Sequence, residues 1–297
     1  MNLIECNGVT KRFGSTLALD NVTLALPAGE PIALIGPNGA GKTTLLGLLC
    51  GFVRASGGTV SVLGRSPGSQ SLSGKLAALP QDALMDPRLS VGRQLRFYAQ
   101  LQGMNRAESR LDVERVLEQV DLLDSMNTKP ADLSHGMRKR ISIAQSLLGS
   151  PQLVLLDEPT AGIDPPNAKM IRDLIREQSS NTTFLVSSHN LDELERLCGS
   201  VVYLEKGRLV SVGPVTEDDR HDFLTLRLGS VADSDFMAAA TQIPGVSSVT
   251  KTAQGDYLIE TDNDMLTSTL IMQLLQEKGW RYRQMTRGKS LEERLYG

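Results

Sequence analysis

Short runs of apolar residues, with no polar residue inside them, recur along the chain and are followed by segments with helical spacing. Such runs are typical of strands buried on both faces, as in a parallel sheet with helices on either side. The clearest runs are 31–35, 153–156 and 183–186. We therefore predict an α/β fold whose central strands are fully buried.

The N-terminal stretch has a different pattern, in which apolar and polar residues alternate. This period of two predicts strands of an antiparallel sheet that is covered on one face only. The alternating apolar positions are Ile4 and Cys6, then Val22, Leu24 and Leu26, then Val60 and Val62. A second, smaller sheet is therefore expected beside the parallel one.

The segment 104–120 is predicted to form an amphipathic helix. Its expected apolar positions are Leu111, Val113, Val116, Leu117 and Val120. The charged residues between them are interpreted as the solvated face. This helix adds a helical region to the middle of the chain.

The composition changes near residues 205–220, where turn-forming and polar residues predict a hairpin and then a linker. Beyond the linker the pattern predicts the order strand–helix–strand–strand–helix–strand, which is the ferredoxin-like arrangement. The strands are expected at 222–228, within 246–261 and at 280–287, and the helices at 234–241 and 264–277. We therefore divide the chain into a large domain over 1–217 and a small α+β extension over 218–297.

The composition is that of an ordinary globular protein, and it argues against some classes of function. The 297 residues are 40% apolar and carry a net charge of −3, which argues against a strongly basic surface for nucleic acid. No run of about 18 apolar residues is present, so the chain is not expected to cross a membrane by itself. Cys6, Cys50 and Cys198 lack metal-ligand spacing and are interpreted as buried thiols in a reducing cytosol.

A glycine-rich segment matches the phosphate-binding pattern G-x-x-x-x-G-K-[ST] and leads into a predicted helix over 44–50. The glycines let the main chain wrap a phosphate chain, and the N–H groups at the start of the helix would hold its charge. Lys42 would neutralise the β- and γ-phosphates, and the Thr43 hydroxyl would bind Mg²⁺. The predicted nucleotide loop consists of Gly36, Pro37, Asn38, Gly39, Ala40, Gly41, Lys42, Thr43 and Thr44.

The buried strand predicted at 153–156 leads directly into two carboxylates, Asp157 and Glu158. Open α/β sheets bind ligands at the C-terminal ends of their strands. Asp157 suits the outer shell of Mg²⁺, and Glu158 suits orienting or polarising an attacking water, because phosphoryl transfer needs charge neutralisation and positioning. A plain surface turn is the alternative interpretation of this motif.

A third motif, at 133–137, reads Leu-Ser-His-Gly-Met and stands before a segment with helical spacing. Ser134 is predicted to cap this helix. Ser134 and Gly136 at a helix start also suggest a second anion site. The basic cluster Arg138–Arg140 is interpreted as a solvated helix face.

These motifs stand in the order found in the nucleotide-binding subunits of ATP-binding cassette (ABC) transporters, which residues 1–215 resemble. The order is the phosphate loop, Gln81, the signature at 133–137, the strand that carries Asp157 and Glu158, the segment 161–165, and Ser188-His189. The resemblance implies an α/β P-loop ATPase cassette, in which a mixed core sheet is joined by an antiparallel subdomain and a helical subdomain. It also implies that the chain binds and hydrolyses ATP with Mg²⁺.

The resemblance assigns roles to residues that local patterns leave undecided. Phe13 matches the aromatic residue that stacks on adenine. Gln81 matches the residue that reaches Mg²⁺ or water and connects to the membrane subunit. Asp164 matches the loop that couples the two active sites of a dimer, and His189 matches the histidine that contacts the γ-phosphate. The expected catalytic residues are Lys42, Glu158 and His189, and the expected Mg²⁺ ligands are Thr43, Gln81 and Asp157.

The resemblance also implies a head-to-tail homodimer, in which Ser134 and Gly136 of one copy cover the ATP bound by the other. The signature departs from the common Leu-Ser-Gly-Gly-Gln at His135 and Met137. The form found here resembles the branch of exporters for drugs, sodium, polysaccharides or lipids. Many such subunits end in a small α/β extension closed by a Ser-Leu-Glu segment, here 290–292, and the extension is expected to serve dimerisation or regulation.

The expected function is an ATPase that powers export through a separate polytopic permease, from the cytoplasmic face of the inner membrane. A soluble cassette ATPase without a permease is one alternative, although 91 positions between Lys42 and Ser134 leave no room for the long coiled coil of the DNA-repair type. An importer ATPase is another alternative, but its sugar-sensing barrel would hardly fit into the segment after residue 217. Neither nucleic acid nor a metal cluster is expected among the partners.

Overall fold

The computed structural model describes residues 2–188, 191–214, 223–229, 233–252, 255–262 and 264–288. The chain divides into two compact units, Met1–Gly213 and Pro214–Gly297. The boundary predicted between residues 217 and 218 lies outside the described residues, as does the Ser-Leu-Glu segment at 290–292. None of the helices in the described ranges has the length and hydrophobicity that a membrane crossing requires.

Strands and helices alternate from β6 to β8 and occur mostly in runs of one type elsewhere in the described residues. The strands are β1 (Asn2–Phe13), β2 (Thr16–Pro27), β3 (Ile32–Ile35), β4 (Gly57–Val62), β5 (Leu76–Leu79), β6 (Leu153–Asp157), β7 (Thr183–Ser187), β8 (Ser200–Glu205), β9 (Arg208–Pro214), β10 (Phe223–Leu228), β11 (Val246–Lys251), β12 (Tyr257–Thr261) and β13 (Tyr282–Arg287). The helices are α1 (Lys42–Cys50), α2 (Val91–Leu101), α3 (Arg106–Gln119), α4 (His135–Ser146), α5 (Pro165–Gln178), α6 (Leu191–Leu197), α7 (Asp233–Ala240) and α8 (Asp264–Glu277).

The core sheet of the first unit has the strand order β5-β6-β7-β3-β8-β9. The pairs β5–β6, β6–β7, β7–β3 and β3–β8 are parallel. Every residue of β3, β6 and β7 is buried, which explains why these strands are uninterrupted apolar runs in the sequence. Because the strands are parallel, their C-terminal ends meet at one edge of the sheet.

An antiparallel sheet with the order β2-β1-β4 forms a second layer of the first unit. Ile4 lies at its centre, opposite Leu26 on β2 and Val62 on β4. All three side chains are buried in one hydrophobic cluster that also includes residues of the core sheet and of α1. The half-covered antiparallel sheet predicted from the alternating pattern is therefore present.

The second unit has the strand order β11-β12-β10-β13, with antiparallel pairing throughout. Together with α7 after the first strand and α8 after the third, this is the predicted ferredoxin-like arrangement. Leu226 and Ile259 of the sheet are buried with Phe236 of α7. The Trp280 ring lies edge-on to Phe236, with 5.9 Å between ring centroids, so Trp280 packs against the core of this unit.

One predicted core position is wrong. The helix expected over 104–120 is α3, and Val113, Val116 and Leu117 are buried as predicted, but Leu111 is 60% exposed. Two residues span about 200° around a helix, so Leu111 lies on the face opposite Val113. Ser109 occupies the corresponding place on the buried stripe, where its hydroxyl donates to the Arg106 carbonyl oxygen at 3.1 Å.

The basic cluster Arg138–Arg140 is not the solvated face that the sequence suggested. All of its side chains are half-buried, and each donates to a main-chain carbonyl oxygen. Arg138 donates to Leu133 and Arg140 to Val120, both at 2.8 Å. These side chains fasten α4 to the neighbouring loops, because long cationic side chains can bury their stems while their heads satisfy carbonyl groups.

Candidate functional site

The glycine-rich segment forms a tight loop between β3 and α1, and at two of its positions a side chain would not fit. Gly36 has φ +150° and Gly41 has φ +103°, conformations that residues with a side chain rarely adopt. A Cβ on Gly36 would lie 2.2 Å from the carbonyl oxygen of Leu204, and one on Gly41 would lie 2.7 Å from that of Ala18. The loop can therefore fold against β8 and β2 only where side chains are absent.

Lys42 opens α1, two residues before the predicted helix start, and its buried side chain turns back over the loop. Its Nζ donates to the carbonyl oxygens of Gly36 at 2.6 Å and Pro37 at 3.3 Å. Gly41 precedes the helix and supplies no side-chain cap. The positive end of α1 and the Lys42 ammonium thus stand together at the end of β3, an arrangement suited to a phosphate chain.

The remaining loop residues divide between solvent and core. Ala40 is buried in the hydrophobic cluster. The residues open to solvent are Pro37, Asn38, Gly39 and Thr43, and Thr44 is half-buried. The loop thus offers its main chain and one hydroxyl to a ligand while Ala40 anchors it to the core.

Asp157 ends β6 and is oriented by hydroxyl groups on both carboxylate oxygens. Thr43 Oγ1 donates to Oδ2 at 3.0 Å, and Ser187 Oγ donates to Oδ1 at 2.5 Å. The carboxylate is buried, and its donors come from α1 and β7. Oxygen donors of this kind are the ligands that Mg²⁺ prefers, so the Thr43 and Asp157 pair predicted from sequence fits a magnesium site.

Glu158 follows directly and has an unusual main-chain conformation. Its φ of +50° lies in the left-handed region, which costs a residue with a side chain about 1–3 kcal/mol. The neighbouring strand holds it there, because the Glu158 N–H donates to both the carbonyl oxygen and Oγ of Ser187, at 3.2 and 3.0 Å. Glu158 is buried beside Asp157 at the C-terminal edge of the sheet.

The signature segment begins α4 and packs against the start of α5 in the same chain. Ser134 caps α4 as predicted, since its Oγ accepts from the Met137 N–H at 3.2 Å. Gly136 is buried, and a Cβ on it would lie 2.5 Å from Cγ and Nδ2 of Asn167. His135 and Ser134 are exposed at this helix start.

Asp164 is bound to the same asparagine. Its Oδ1 accepts from the Asn167 N–H at 3.0 Å, which caps α5, and both carboxylate oxygens accept from Asn167 Nδ2, at 3.0 and 2.8 Å. The hydrogen bond from the Asn167 main chain contributes most, and together with those from the Asn167 side chain it holds the pKa of Asp164 below its usual range. Asn167 therefore connects Asp164 to Gly136, a link that neither motif shows in the sequence.

Gln81 lies on an exposed loop after β5, where its carbonyl oxygen accepts from Lys139 Nζ at 3.3 Å. Lys139 belongs to α4, and burial lowers the pKa of its ammonium although the carboxylates of Asp82, Asp157 and Glu158 act to raise it. A cation of α4 therefore stands near the carboxylates at the end of β6. Nothing in the local sequence around Lys139 indicated this placement.

Phe13 ends β1 with about half of its surface exposed, as a stacking platform requires. The Lys11 Nζ lies 4.6 Å from the centre of its ring. His189 lies outside the described residues. The structure therefore brings together Lys42, Thr43, Asp157 and Glu158 at one edge of the sheet, and joins Gly136 to Asp164 through Asn167.

Comparison with known proteins gives consistent matches. The family model described as ABC transporter matches residues 19–161. The Bacillus subtilis protein called "Uncharacterized ABC transporter ATP-binding protein YhaQ" is 32% identical over 279 residues, which cover 94% of this chain and 92% of that protein. Nod factor export ATP-binding protein I of Rhizobium johnstonii is 35% identical over 71% of this chain and 68% of its own length.

Solved structures agree with the sequence matches. A structure described as the ATP-binding subunit of an ABC transporter is 29% identical and has a TM-score of 0.65, covering 71% of this chain and 90% of that one. A dimeric cassette in a post-hydrolysis state with ADP and Pi has a TM-score of 0.66 at 23% identity, which shows the shared fold.

Proposed function

The chain belongs to the ABC transporter family as an ATP-binding, ATP-hydrolysing subunit, and from that premise we propose that two copies close head to tail over ATP and Mg²⁺ to power export through a separate permease. The observation that carries the proposal is the joint placement of Lys42, Thr43 and Asp157 at the end of β3 and β6. The names of two relatives, Nod factor export ATP-binding protein I and linearmycin resistance ATP-binding protein LnrL of Bacillus subtilis, support the direction of transport.

In this proposal the Lys42 ammonium leaves the carbonyl oxygens of the loop and binds the β- and γ-phosphates, because a phosphate chain carries far more negative charge than two carbonyl groups. Mg²⁺, held by Thr43 Oγ1 and the Asp157 carboxylate, would supply charge neutralisation to the phosphates. Ser187 keeps the Asp157 carboxylate oriented for this task. The predicted role of Gln81 as a further ligand remains part of the proposal.

Glu158 is proposed to orient the attacking water and to accept its proton on a carboxylate oxygen. The left-handed main chain of Glu158 is held by Ser187, and it fixes the point from which the Glu158 side chain extends. His189 is proposed to contact the γ-phosphate, and Phe13 to stack on the adenine ring.

The exposed start of α4 is proposed to cover the ATP bound by the partner copy. One loop leaves a face of the γ-phosphate open, and the Ser134 hydroxyl with the N–H groups of the first turn of α4 can bind it. Asn167 lies against Gly136, so the glycine would contact the γ-phosphate of the partner's ATP through its main-chain N–H. ATP would then favour the closed dimer because it binds that state more tightly than the open one.

The permease is proposed to bind near Gln81, so that the chain works at the cytoplasmic surface of the membrane. Leu84, three residues after Gln81, is 91% exposed, and α2 exposes Phe97 and Leu101. Such side chains would serve an interaction site if they form one contiguous apolar patch. The second unit is proposed to support dimerisation or regulation.

The decisive experiment replaces Glu158 by glutamine and measures ATP binding, ATP hydrolysis and mass in solution. We expect ATP binding with wild-type affinity, hydrolysis reduced at least about 100-fold, and a dimer in the presence of ATP and Mg²⁺. The matched control adds Lys42→Ala, which should prevent the ATP-dependent dimer. A Glu158→Gln protein that turns over at the wild-type rate, or that stays monomeric when saturated with ATP, would contradict the proposal.

A further inference from the structure

A carboxylate on α6 joins elements that neither the motifs nor the family resemblance connects. Glu193 Oε1 accepts from Arg172 Nη1 at 2.7 Å, and Glu193 Oε2 accepts from Thr160 Oγ1 at 2.8 Å. Both side chains of the ion pair are only about one-fifth exposed. The contact therefore joins α6, α5 and the turn after β6 through charge-assisted bonds that solvent screens only partly.

Two members of this contact are close in sequence to a residue of the proposed ATP site, and the third lies on a helix that such a residue caps. Thr160 follows Glu158 by two residues, and Glu193 follows His189 by four. Arg172 lies on α5, the helix that Asp164 caps. Glu193 is thus joined by hydrogen bonds to Thr160, which follows Glu158, and to Arg172, which lies on the helix that Asp164 caps.

The same side chains line a small pocket with a volume of about 10 Å³, together with apolar residues such as Ile175, Val186 and Leu194. That space holds about one water molecule and excludes a substrate or a nucleotide. Glu193 is therefore placed to hold elements together and not to bind a ligand.

The main-chain conformation of Glu158 indicates what this contact stabilises. A left-handed residue with a side chain persists only where its surroundings over-determine its conformation. On the N-terminal side Ser187 holds the Glu158 N–H, and on the C-terminal side the Ala161 N–H donates to the Glu158 carbonyl oxygen at 3.2 Å. The Thr160 side chain between them is fixed by Glu193.

We propose that Glu193 is a positioning residue for ATP hydrolysis, which through Thr160 and Arg172 holds the segments of Glu158 and Asp164 in one arrangement. This inference rests on the proposed function, because it assumes that those segments act on ATP. Thr160 transmits the effect to Glu158, and Arg172 transmits it to α5. Loss of either the Thr160–Glu193 or the Arg172–Glu193 bond leaves ATP binding by the glycine-rich loop intact. It misplaces the Glu158 carboxylate, which is proposed to orient water.

The test compares Thr160→Val, which keeps the shape and removes the hydroxyl, with Thr160→Ser, which keeps the hydroxyl. We expect Thr160→Val to lower kcat about tenfold or more while KM for ATP stays within about twofold, and Thr160→Ser to restore kcat. Glu193→Gln should lower kcat in the same way. The double variant should be no worse than the more impaired single variant, since both single changes weaken the Thr160–Glu193 contact.

Asp173→Asn is the matched control, because Asp173 forms an ion pair with Arg176 at 2.9 Å inside α5 and does not join the three elements. It should leave kcat unchanged. Wild-type kcat in Thr160→Val would overturn the proposal. The proposal would also be overturned if Thr160→Val lowered kcat, raised KM and lowered thermal stability together, and Thr160→Ser failed to restore them. That outcome indicates a structural role only.

A second measurement separates this inference from the proposed function. Thr160→Val combined with Glu158→Gln should still form the ATP-dependent dimer, because the phosphate loop and signature are unchanged. If Glu158→Gln alone forms no dimer with ATP, the proposed function fails whatever Thr160 does. If Glu158→Gln forms the dimer and the combined variant does not, the inference about Glu193 fails while the proposed function stands.

Discussion

Replacing Gly136 by alanine would place a methyl group 2.5 Å from both Cγ and Nδ2 of Asn167. Ordinary contact begins at 3.4 Å, so the two segments would have to separate by about 0.9 Å. Asn167 cannot simply swing away, because Nδ2 donates to both oxygens of Asp164. The strain therefore passes from the signature to Asp164.

Two opposing terms set the size of the effect. Overpacking of a well-filled site costs about 1–3 kcal/mol. Alanine in place of glycine in a helix returns at most about 1 kcal/mol. We therefore expect Gly136→Ala to lower the free energy of unfolding by about 0–3 kcal/mol, within the range of ordinary destabilising substitutions. ATP-dependent dimerisation should suffer more, because both Ser134 and Asp164 belong to segments that the methyl group displaces.

The assay is a double-mutant cycle read by urea denaturation and by dimer formation in the Glu158→Gln background. Asn167→Ala removes every Asn167 atom that the new methyl group would meet, at the cost of about 1 kcal/mol for its hydrogen bonds. Adding Gly136→Ala to Asn167→Ala should then cost little or nothing. A Gly136→Ala protein that is as stable and as dimer-competent as the parent would contradict this expectation, as would a cost that is the same with and without Asn167.

Two further predictions concern the phosphate loop and the second unit. Lys42→Ala should abolish measurable ATP binding in equilibrium dialysis, because the loop loses its cation, and unchanged affinity would contradict the assignment of the loop. Removal of 218–297 should weaken dimerisation or alter the regulation of ATP hydrolysis, as measured by sedimentation and by the ATPase rate. Unchanged dimerisation, hydrolysis and transport would show that the second unit has neither role.

Most of the fold was predictable because burial on two faces leaves an uninterrupted apolar run. β3, β6 and β7 each show such a run, and each is parallel to its neighbour. Leu111 is an exception, because it lies two residues before Val113, and side chains two residues apart on a helix point to nearly opposite sides. The sequence therefore indicates burial reliably where the apolar period is unambiguous, and less so at an apolar residue that lies out of phase with its neighbours.

The site was predictable at its motifs and not at the contacts between them. The pattern at 36–43 requires its own geometry, so Gly36 and Lys42 could be placed from sequence alone. Asn167 and Lys139 could not, because their partners are distant in the chain and an asparagine or lysine on a helix carries no signal of its own. Ser187 offers a partial signal, since it is a polar residue at the end of an apolar strand, at the same sheet edge as Asp157.

Ser187 also explains how two adjacent carboxylates can serve one site. Successive side chains of a regular strand point to opposite faces of the sheet, so Asp157 and Glu158 would normally diverge. The left-handed conformation at Glu158 ends the strand and breaks that alternation. One residue of β7 controls both acids, because the Ser187 hydroxyl donates to Asp157 while its oxygen atoms accept from the Glu158 N–H. The proposed division of work, in which Asp157 binds Mg²⁺ and Glu158 orients water, therefore depends on a serine that belongs to neither motif.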